Sequence, residues 1–434
     1  MNKQLCVISC PIDTFSGYGA RSRDFVKALY ELKKDEWDFI ILSQRWGACP
    51  YGYLKSNIIY WGWLIPLVSQ SNQLPKQPDC FIQITVPNEF QPIGKFNIGI
   101  TAGIETTICD GSWIDGINRM DLTLVSSSHS KKIFEQSTFQ KVDGQGKQLG
   151  ITKLEKPIEV LFEGVDLNKF FYVSKKDIEK TDLVLELNDI KENFCYLFVG
   201  HWLQGDLGED RKNVGLTIQT FFETFKNQKS PPALIIKTSG AGSSILDRDE
   251  ILKKIDLIRS TVMGNLPNVY LLHGEIDDAD LNNLYNHPKV KAMFNLTKGE
   301  GFGRPILEFS LSKKPIIVTA WSGHIDFLQM DYNCLLGGQL KNVHPSAQVP
   351  KILLPEAQWF YPDINQAVHY LKDVYTKYDK YQELAKRQAH ISKTKYSFGE
   401  MQKLLGTYLE KIPKQVELVL PKLKKINLPT LIQQ

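Results

Sequence analysis

Residues 293–309 read Met-Phe-Asn-Leu-Thr-Lys-Gly-Glu-Gly-Phe-Gly-Arg-Pro-Ile-Leu-Glu-Phe, and no other stretch constrains the fold as tightly. A short apolar strand over 291–296 gives way to a loop with glycines at 299, 301 and 303, and the loop feeds a helix whose first residue is Pro305. Proline suits that position because its missing N–H would be unpaired there and its φ is already helical. The helix therefore begins beside the loop. Its free amides, from Arg304 and then from Ile306 onward, carry the positive end of the helix dipole, which makes the loop a seat for a phosphate or diphosphate. The three glycines let the backbone approach that anion with no Cβ in the way. Glu300 and Glu308 flank the seat; carboxylates repel phosphate, so their use is to accept hydrogen bonds from hydroxyls on either side of it. On these residues alone the alternative is a plain strand–loop–helix turn, with Glu300 solvated and Glu308 favouring the first turn of its helix.

A chain of 434 residues is long enough for two domains and too long for one ordinary core. With 42% hydrophobic and 23% charged residues, no segment need be disordered on compositional grounds. The longest apolar run, 58–68, is interrupted by Gly62 and Pro66 and is too short to cross a bilayer. The opening residues turn polar at Asp13 without a small-residue cleavage site, which reads as a first strand and not a signal peptide. Seven cysteines without a Cys-x-x-Cys pair point to reduced thiols in a cytoplasm and offer no zinc site. A net charge of +4 neither demands nor excludes a polyanionic partner.

The Glu-x7-Glu spacing around Gly-Phe-Gly-x-Pro resembles the donor-site signature of retaining nucleotide-sugar glycosyltransferases with the GT-B fold, family-four-like in its motif. The resemblance implies an α/β chain of two Rossmann-like domains facing each other across a cleft. Residues 1–168 would be the acceptor domain, joined by a C-terminal helix that crosses back with 398–434, and residues 190–395 the nucleotide-sugar donor domain. It implies that Glu300 sits by the transferred sugar, that Glu308 binds the ribose, and that Gly301, Phe302, Gly303 and Arg304 belong to the donor seat.

Along the chain, a strand at 4–9 precedes a flexible turn, 13–21, and a helix from Ala20. Gly17 and Gly19 in that turn match the family's loop facing the diphosphate, although a plain tight turn reads equally well. Six aromatic residues between 45 and 64 form either a stacking platform for a sugar or base or, more simply, the packing of an irregular loop. Glu105 lies just past the strand 96–101, where Rossmann-like domains put functional groups; the resemblance implies that it touches the acceptor hydroxyl, and a solvated loop acid is the equal alternative. His129, after the strand 121–126, is either an acceptor-side contact or a half-buried cap histidine. Residues 140–156 read as a mobile surface loop, and 167–192 as the linker between the domains.

In the second half, strands are expected at 195–199, 234–238, 269–272 and 315–319. The Arg211-Lys212 pair stands at a helix start, where cations are unfavourable unless an anion is near. The resemblance implies that Lys212 neutralises the donor diphosphate, with Arg211 helping or pairing with Asp210, and that Gly274, Glu275 and Ile276 hold the base. Asp247-Arg-Asp249 and Asp278-Ala-Asp280 sit where helices begin, a place that favours acids anyway, so they read as structural and no metal is assigned.

The implied reaction is retaining, metal-independent transfer of a hexosyl or pentosyl group from a UDP- or GDP-sugar. No other cofactor is required. The acceptor is a saccharide or lipid-linked glycan, with a hydroxymethylated DNA base as a lesser option suggested by the basic loop, the lysine tail and the aromatic cluster. No integral membrane contact is expected. The alternatives are phosphorylase or epimerase chemistry on the same fold, or nucleotide-sugar binding without catalysis.

Overall fold

The computed structural model describes residues 3–413 apart from 72, 143, 144, 146, 241 and 243. The chain opens with strand β1 (Gln4–Cys10), helix α1 (Gly17–Lys33) and strand β2 (Trp37–Ser43). Two short helices follow, α2 (Tyr53–Ser56) and α3 (Ile58–Trp61), then β3 (Cys80–Ile84), β4 (Phe96–Thr101), α4 (Gly111–Ile117), β5 (Leu122–Val125) and α5 (Ser128–Gln136). A hairpin of β6 (Phe139–Val142) and β7 (Gln148–Thr152) leads to β8 (Ile158–Val160). Six of these strands form one parallel sheet in the order β2-β1-β3-β4-β5-β8. Their runs are apolar on both faces because helices cover both sides, as parallel sheets require.

After the connecting helix α6 (Asp182–Asp189), the pattern repeats: β9 (Cys195–Val199), α7 (Val214–Phe225), β10 (Ala233–Lys237), α8 (Ile245–Thr261), β11 (Val269–Leu272), α9 (Asp278–Asn286), β12 (Val290–Asn295), α10 (Arg304–Ser310), β13 (Ile316–Thr319) and β14 (Cys334–Leu336). These strands make a second parallel sheet, β11-β10-β9-β12-β13-β14. A hairpin of β15 (Gly338–Asn342) and β16 (Gln358–Pro362) precedes α11 (Ile364–Thr376), α12 (Tyr378–Lys395) and α13 (Phe398–Leu409). Each sheet has its own core, one built on Ile8, Phe25 and Leu29 and the other on Tyr196, Phe221 and Phe222. Helix α13 sends Met401, Leu405 and Leu409 into the first of these, packing along α1. Where the chain crosses back, the Val165 N–H donates to the Tyr396 carbonyl and the Phe398 N–H donates to the Val165 carbonyl. Among the described residues no helix is long and apolar enough to cross a membrane.

Several expectations change. Gly17 and Gly19 are not in a loop: they lie in the first turn of α1, because Ser16 caps that helix with its hydroxyl accepting from the Gly19 N–H at 2.9 Å. The expected mobile loop is the β6–β7 hairpin, with its tip residues 143, 144 and 146 outside the described set. The linker contains α6, capped by Thr181. The lysine-containing tail from 414, with the prolines at 421 and 429, lies outside the described residues. In the aromatic segment Trp61 is buried and Trp46 stacks on Tyr18 at 3.9 Å, whereas Tyr60 stays exposed.

Candidate active site

The carboxyl ends of both sheets meet. Loops leaving β4 and β5 on one side touch loops leaving β9, β12 and β13 on the other, the edge where parallel sheets present functional groups. The motif glycines serve this contact. A Cβ on Gly301 would lie 2.3 Å from the Ala102 carbonyl oxygen, and one on Gly299 would lie 2.3 Å from that of Glu105. The space read as room for an anion at these two positions is therefore filled by backbone of the first half. Gly303, the residue before α10, has φ of 93°, a conformation that favours glycine.

Helix α10 starts one residue before Pro305, at Arg304. Fewer of its amides are free than expected, since the N–H groups of both Ile306 and Leu307 donate to the Gly303 carbonyl, leaving Arg304 N–H as the first-turn amide without such a bond. The Phe302 side chain is buried against Phe327 in the core of the second sheet.

Glu300 is 4% exposed and is held by two cations. The Lys212 ammonium donates to its two oxygens at 2.6 and 2.8 Å, and Arg211 Nη1 approaches at 3.4 Å while donating to the Gly299 carbonyl at 2.8 Å. Glu105 crosses from the first half to lie 3.5 Å from the same guanidinium nitrogen. Arg211 thus pairs with Glu300 and Glu105, not with Asp210, whose carboxylate accepts from the Val214 N–H inside its own turn. Burial works to raise the Glu300 carboxyl, but Lys212 and Arg211 overcome it and hold it at about 2. Burial also lowers Lys212, helped by the like charge of Arg211 and opposed by Glu300. The anion that makes two cations tolerable before α7 is Glu300 itself.

Glu308 faces a second cation. Arg304 Nε donates to it at 2.9 Å, while Arg304 Nη1 donates at 2.7 Å to Asp24 of α1 in the other half. Burial, supplemented by the negative field of Asp278 and Asp24 and opposed by Arg304, pushes the Glu308 carboxyl up to about 7. The Tyr285 hydroxyl is 3.4 Å away. His129 lies in the first turn of α5; its Nε2–H donates to the Thr106 carbonyl at 3.2 Å and its ring meets Trp321 edge-on at 4.9 Å. Burial lowers it to about 4, so it is neutral at pH 7.

The remaining expected residues spread out. Gly274, in the turn after β11, has φ of 100° and accepts at its carbonyl from Lys237, with Glu275 exposed and Ile276 half-buried beside it. Gly17 has open space beside it, but a Cβ on Gly19 would lie 2.3 Å from the Thr14 carbonyl oxygen, a packing need within α1 and its approach. The Asp-x-Asp acids are engaged locally: Asp247 with His273 and the Gly240 N–H, Asp249 with Arg248, Asp278 with Lys169 and Asp280 with Thr181.

Sequence reasoning missed Asp24, Tyr285 and Ser322. Ser322 has φ of 74°, rare for a residue with a side chain, and its Oγ accepts from the Glu300 N–H at 2.7 Å. Its loop, Trp321-Ser-Gly-His, follows the strand expected at 315–319, which is the only signal the sequence held for it.

Comparison with solved structures decides the architecture. HepE from Anabaena, in complex with UDP and glucose, superposes with a TM-score of 0.60 at 13% identity over 94% of this chain and 99% of that one. A glycosyltransferase from Rickettsia africae gives 0.62 at 14% identity, again over 94% and 99%. The fold is GT-B. Sucrose-phosphate synthase from Thermosynechococcus elongatus matches as well, with a TM-score of 0.57 at 11% identity over 95% of this chain and 99% of that one. No protein-family model matches the chain, and no curated protein matches its sequence.

Proposed function

We propose that the chain is a glycosyltransferase that moves a hexosyl or pentosyl group from a UDP- or GDP-sugar to an acceptor hydroxyl, with retention at the anomeric carbon and without a divalent ion. The observation that carries the reading is a pair of buried ion-pair groups at the meeting of two parallel sheets, Lys212 and Arg211 on Glu300 and Arg304 on Glu308, with the two acids eight residues apart across the glycine-rich loop and the start of α10. The GT-B neighbours crystallised with UDP or UDP-glucose support the donor class. In this reading residues 1–168 with α13 present the acceptor and 190–395 hold the donor, the base lying at Gly274–Ile276.

The cluster compensates its own charges when no donor is bound. A donor diphosphate competes with Glu300 for the Lys212 ammonium, and the released carboxylate accepts hydrogen bonds from the sugar. The bond from the anomeric carbon to the diphosphate oxygen then breaks with its electron pair on that oxygen, the acceptor hydroxyl oxygen bonds to that carbon from the same face and passes its proton to the departing diphosphate, and cationic side chains stabilise the charge that develops there. Arg211 and Arg304 assist; Glu105 and His129 lie on the acceptor side. A saccharide acceptor is favoured over DNA because Lys141 and Lys156 of the basic segment are paired with Asp115 and Asp121. Turnover of UDP- and GDP-sugar panels with saccharide acceptors tests the whole reading, and a protein that neither binds nor cleaves any nucleotide sugar refutes it. Activity should survive EDTA; a loss that Mg²⁺ or Mn²⁺ restores would return the Asp-x-Asp acids to consideration.

The Glu308 carboxyl gives a pH prediction. Ribose hydroxyls donate best to the ionised form, which dominates above pH 7 and is lost below it. Affinity for UDP-glucose, whose diphosphate does not titrate in this window, should therefore fall as pH drops from 8 to 6, approaching about tenfold per unit as a limit. Glu308→Gln should bind more weakly at pH 8 and show a flat profile. Calorimetric titration of both proteins reads the difference, and an unchanged slope in the variant removes Glu308 from the ribose.

A further inference from the structure

A cavity of about 730 Å³ lies between the two halves and shares no lining residue with the Glu300–Lys212 cluster. That volume suits a small-molecule ligand. Its walls come from α1, from α2 and α3, from the connecting segment after Asp166, and from the start of α9. Lys27 of the cavity is one helical turn from Asp24, which holds Arg304, so the cavity sits beside the candidate active site without being part of it.

The cavity is held in shape by its own backbone contacts. Asn282 and Asn286 of α9 accept from the N–H groups of Phe171 and Val173 at 3.2 and 2.9 Å, fixing the connecting segment against the helix. Its charge is one-sided. Five carboxylates line it against two ammonium groups, and both ammonium groups are already paired, Lys27 with Asp166 at 3.4 Å and Lys169 with Asp278 at 2.7 Å. A phosphate or carboxylate ligand would meet a repulsive field there. Three exposed aromatic side chains line it, Tyr60 at 69%, Phe171 at 46% and Tyr172 at 49% exposure, the last with the Lys313 ammonium over its ring. Asn283, only 6% exposed, also lines the cavity; its side-chain amide makes no hydrogen bond among the described residues and is not one of the polar groups sealed from solvent. An amide that opens onto a cavity offers a ligand both a donor and an acceptor. A hydroxyl supplies both, an ammonium only the donor.

We propose that this cavity binds an uncharged saccharide, its ring faces lying on Tyr60 and Phe171 and its hydroxyls meeting the Asn283 amide and the surrounding carboxylates. The site goes beyond the proposed donor chemistry and is tested by binding, not turnover. Titration calorimetry with neutral di- and trisaccharides, such as maltose, cellobiose and chitobiose, should find binding at millimolar concentration or better. Tyr60→Ala removes an exposed ring, and Ala279→Trp fills the cavity from an exposed position of α9 without removing a core contact. Each should weaken that binding by roughly tenfold or more while melting temperature and UDP-glucose affinity stay unchanged. A hexuronate disaccharide should bind more weakly than its neutral counterpart. The proposal is overturned if no neutral saccharide binds, if spermidine displaces the saccharide, or if Glu308→Gln and UDP-glucose abolish the binding while Tyr60→Ala and Ala279→Trp do not. Saccharide binding in a protein that ignores every nucleotide sugar would keep this site and end the donor reading.

Discussion

Lys212→Ala is expected to lower kcat for sugar transfer by on the order of 10² to 10³, the loss typical when one preorganised donor to a developing negative charge is removed. Lys212 is 7% exposed, so no water replaces its ammonium cheaply, and two bonds to Glu300 fix that group in place. In the proposed mechanism its value lies in being transferable: Glu300 would hold it in place until a diphosphate takes it over. Nucleotide affinity should therefore fall less than kcat, because the strongest interaction develops only as the leaving oxygen gains charge. Steady-state kinetics with a UDP-sugar, alongside calorimetric UDP affinity and a melting curve, separates this from simple loss of fold. A variant that melts normally and turns over at a near-wild-type rate takes Lys212 out of the reaction.

The cost of placing Arg211 and Lys212 before a helix was legible in the sequence, and so was the need for an anion there. Which anion was not. Glu300 lies 88 residues from Lys212, and no local pattern records that pairing. Asp24 is hidden for the same reason: it sits in the middle of α1, 280 residues from Arg304, among residues that look like ordinary helix surface. Where the signal is local, the reading was close. The apolar runs of β4, β9 and β11 have the bounds their composition suggested, since a buried parallel strand is a short uninterrupted apolar segment between turns. The start of α1 was placed late because two glycines argued for a loop more loudly than Ser16 argued for a cap. Glycines 299 and 301 were read as letting the backbone approach an anion, whereas what approaches them is the backbone of Ala102 and Glu105. The β15–β16 hairpin went unread because β15 is exposed along its whole length and carries no alternation to find.

Glu300→Gln should have the largest effect on stability. It keeps the volume of the side chain and removes the charge that neutralises Lys212 and Arg211, leaving an ammonium and a guanidinium close together in a buried site. Breaking a buried pair from one side typically costs about 3–5 kcal/mol, because the stranded charge has neither partner nor water. Lys212, already lowered by burial and by Arg211, would lose the one group that raises it most and shed its proton more readily. The sign of the pH dependence follows from the carboxyl. It is held at about 2 in the folded protein against an ordinary value of 4.5, so its contribution is fully present above about pH 4.5 and is lost as pH falls toward 2. Urea unfolding at pH 7 should show the deficit, and that acid-linked loss should be missing from the variant between pH 4.5 and 2. The double variant Lys212→Met/Glu300→Gln removes the stranded ammonium and should recover most of the stability at pH 7 while recovering none of the turnover. If Glu300→Gln instead unfolds at the same urea concentration as the parent, the cluster is hydrated, its charges are not coupled through a dry interior, and the electrostatic case for Lys212 weakens with it.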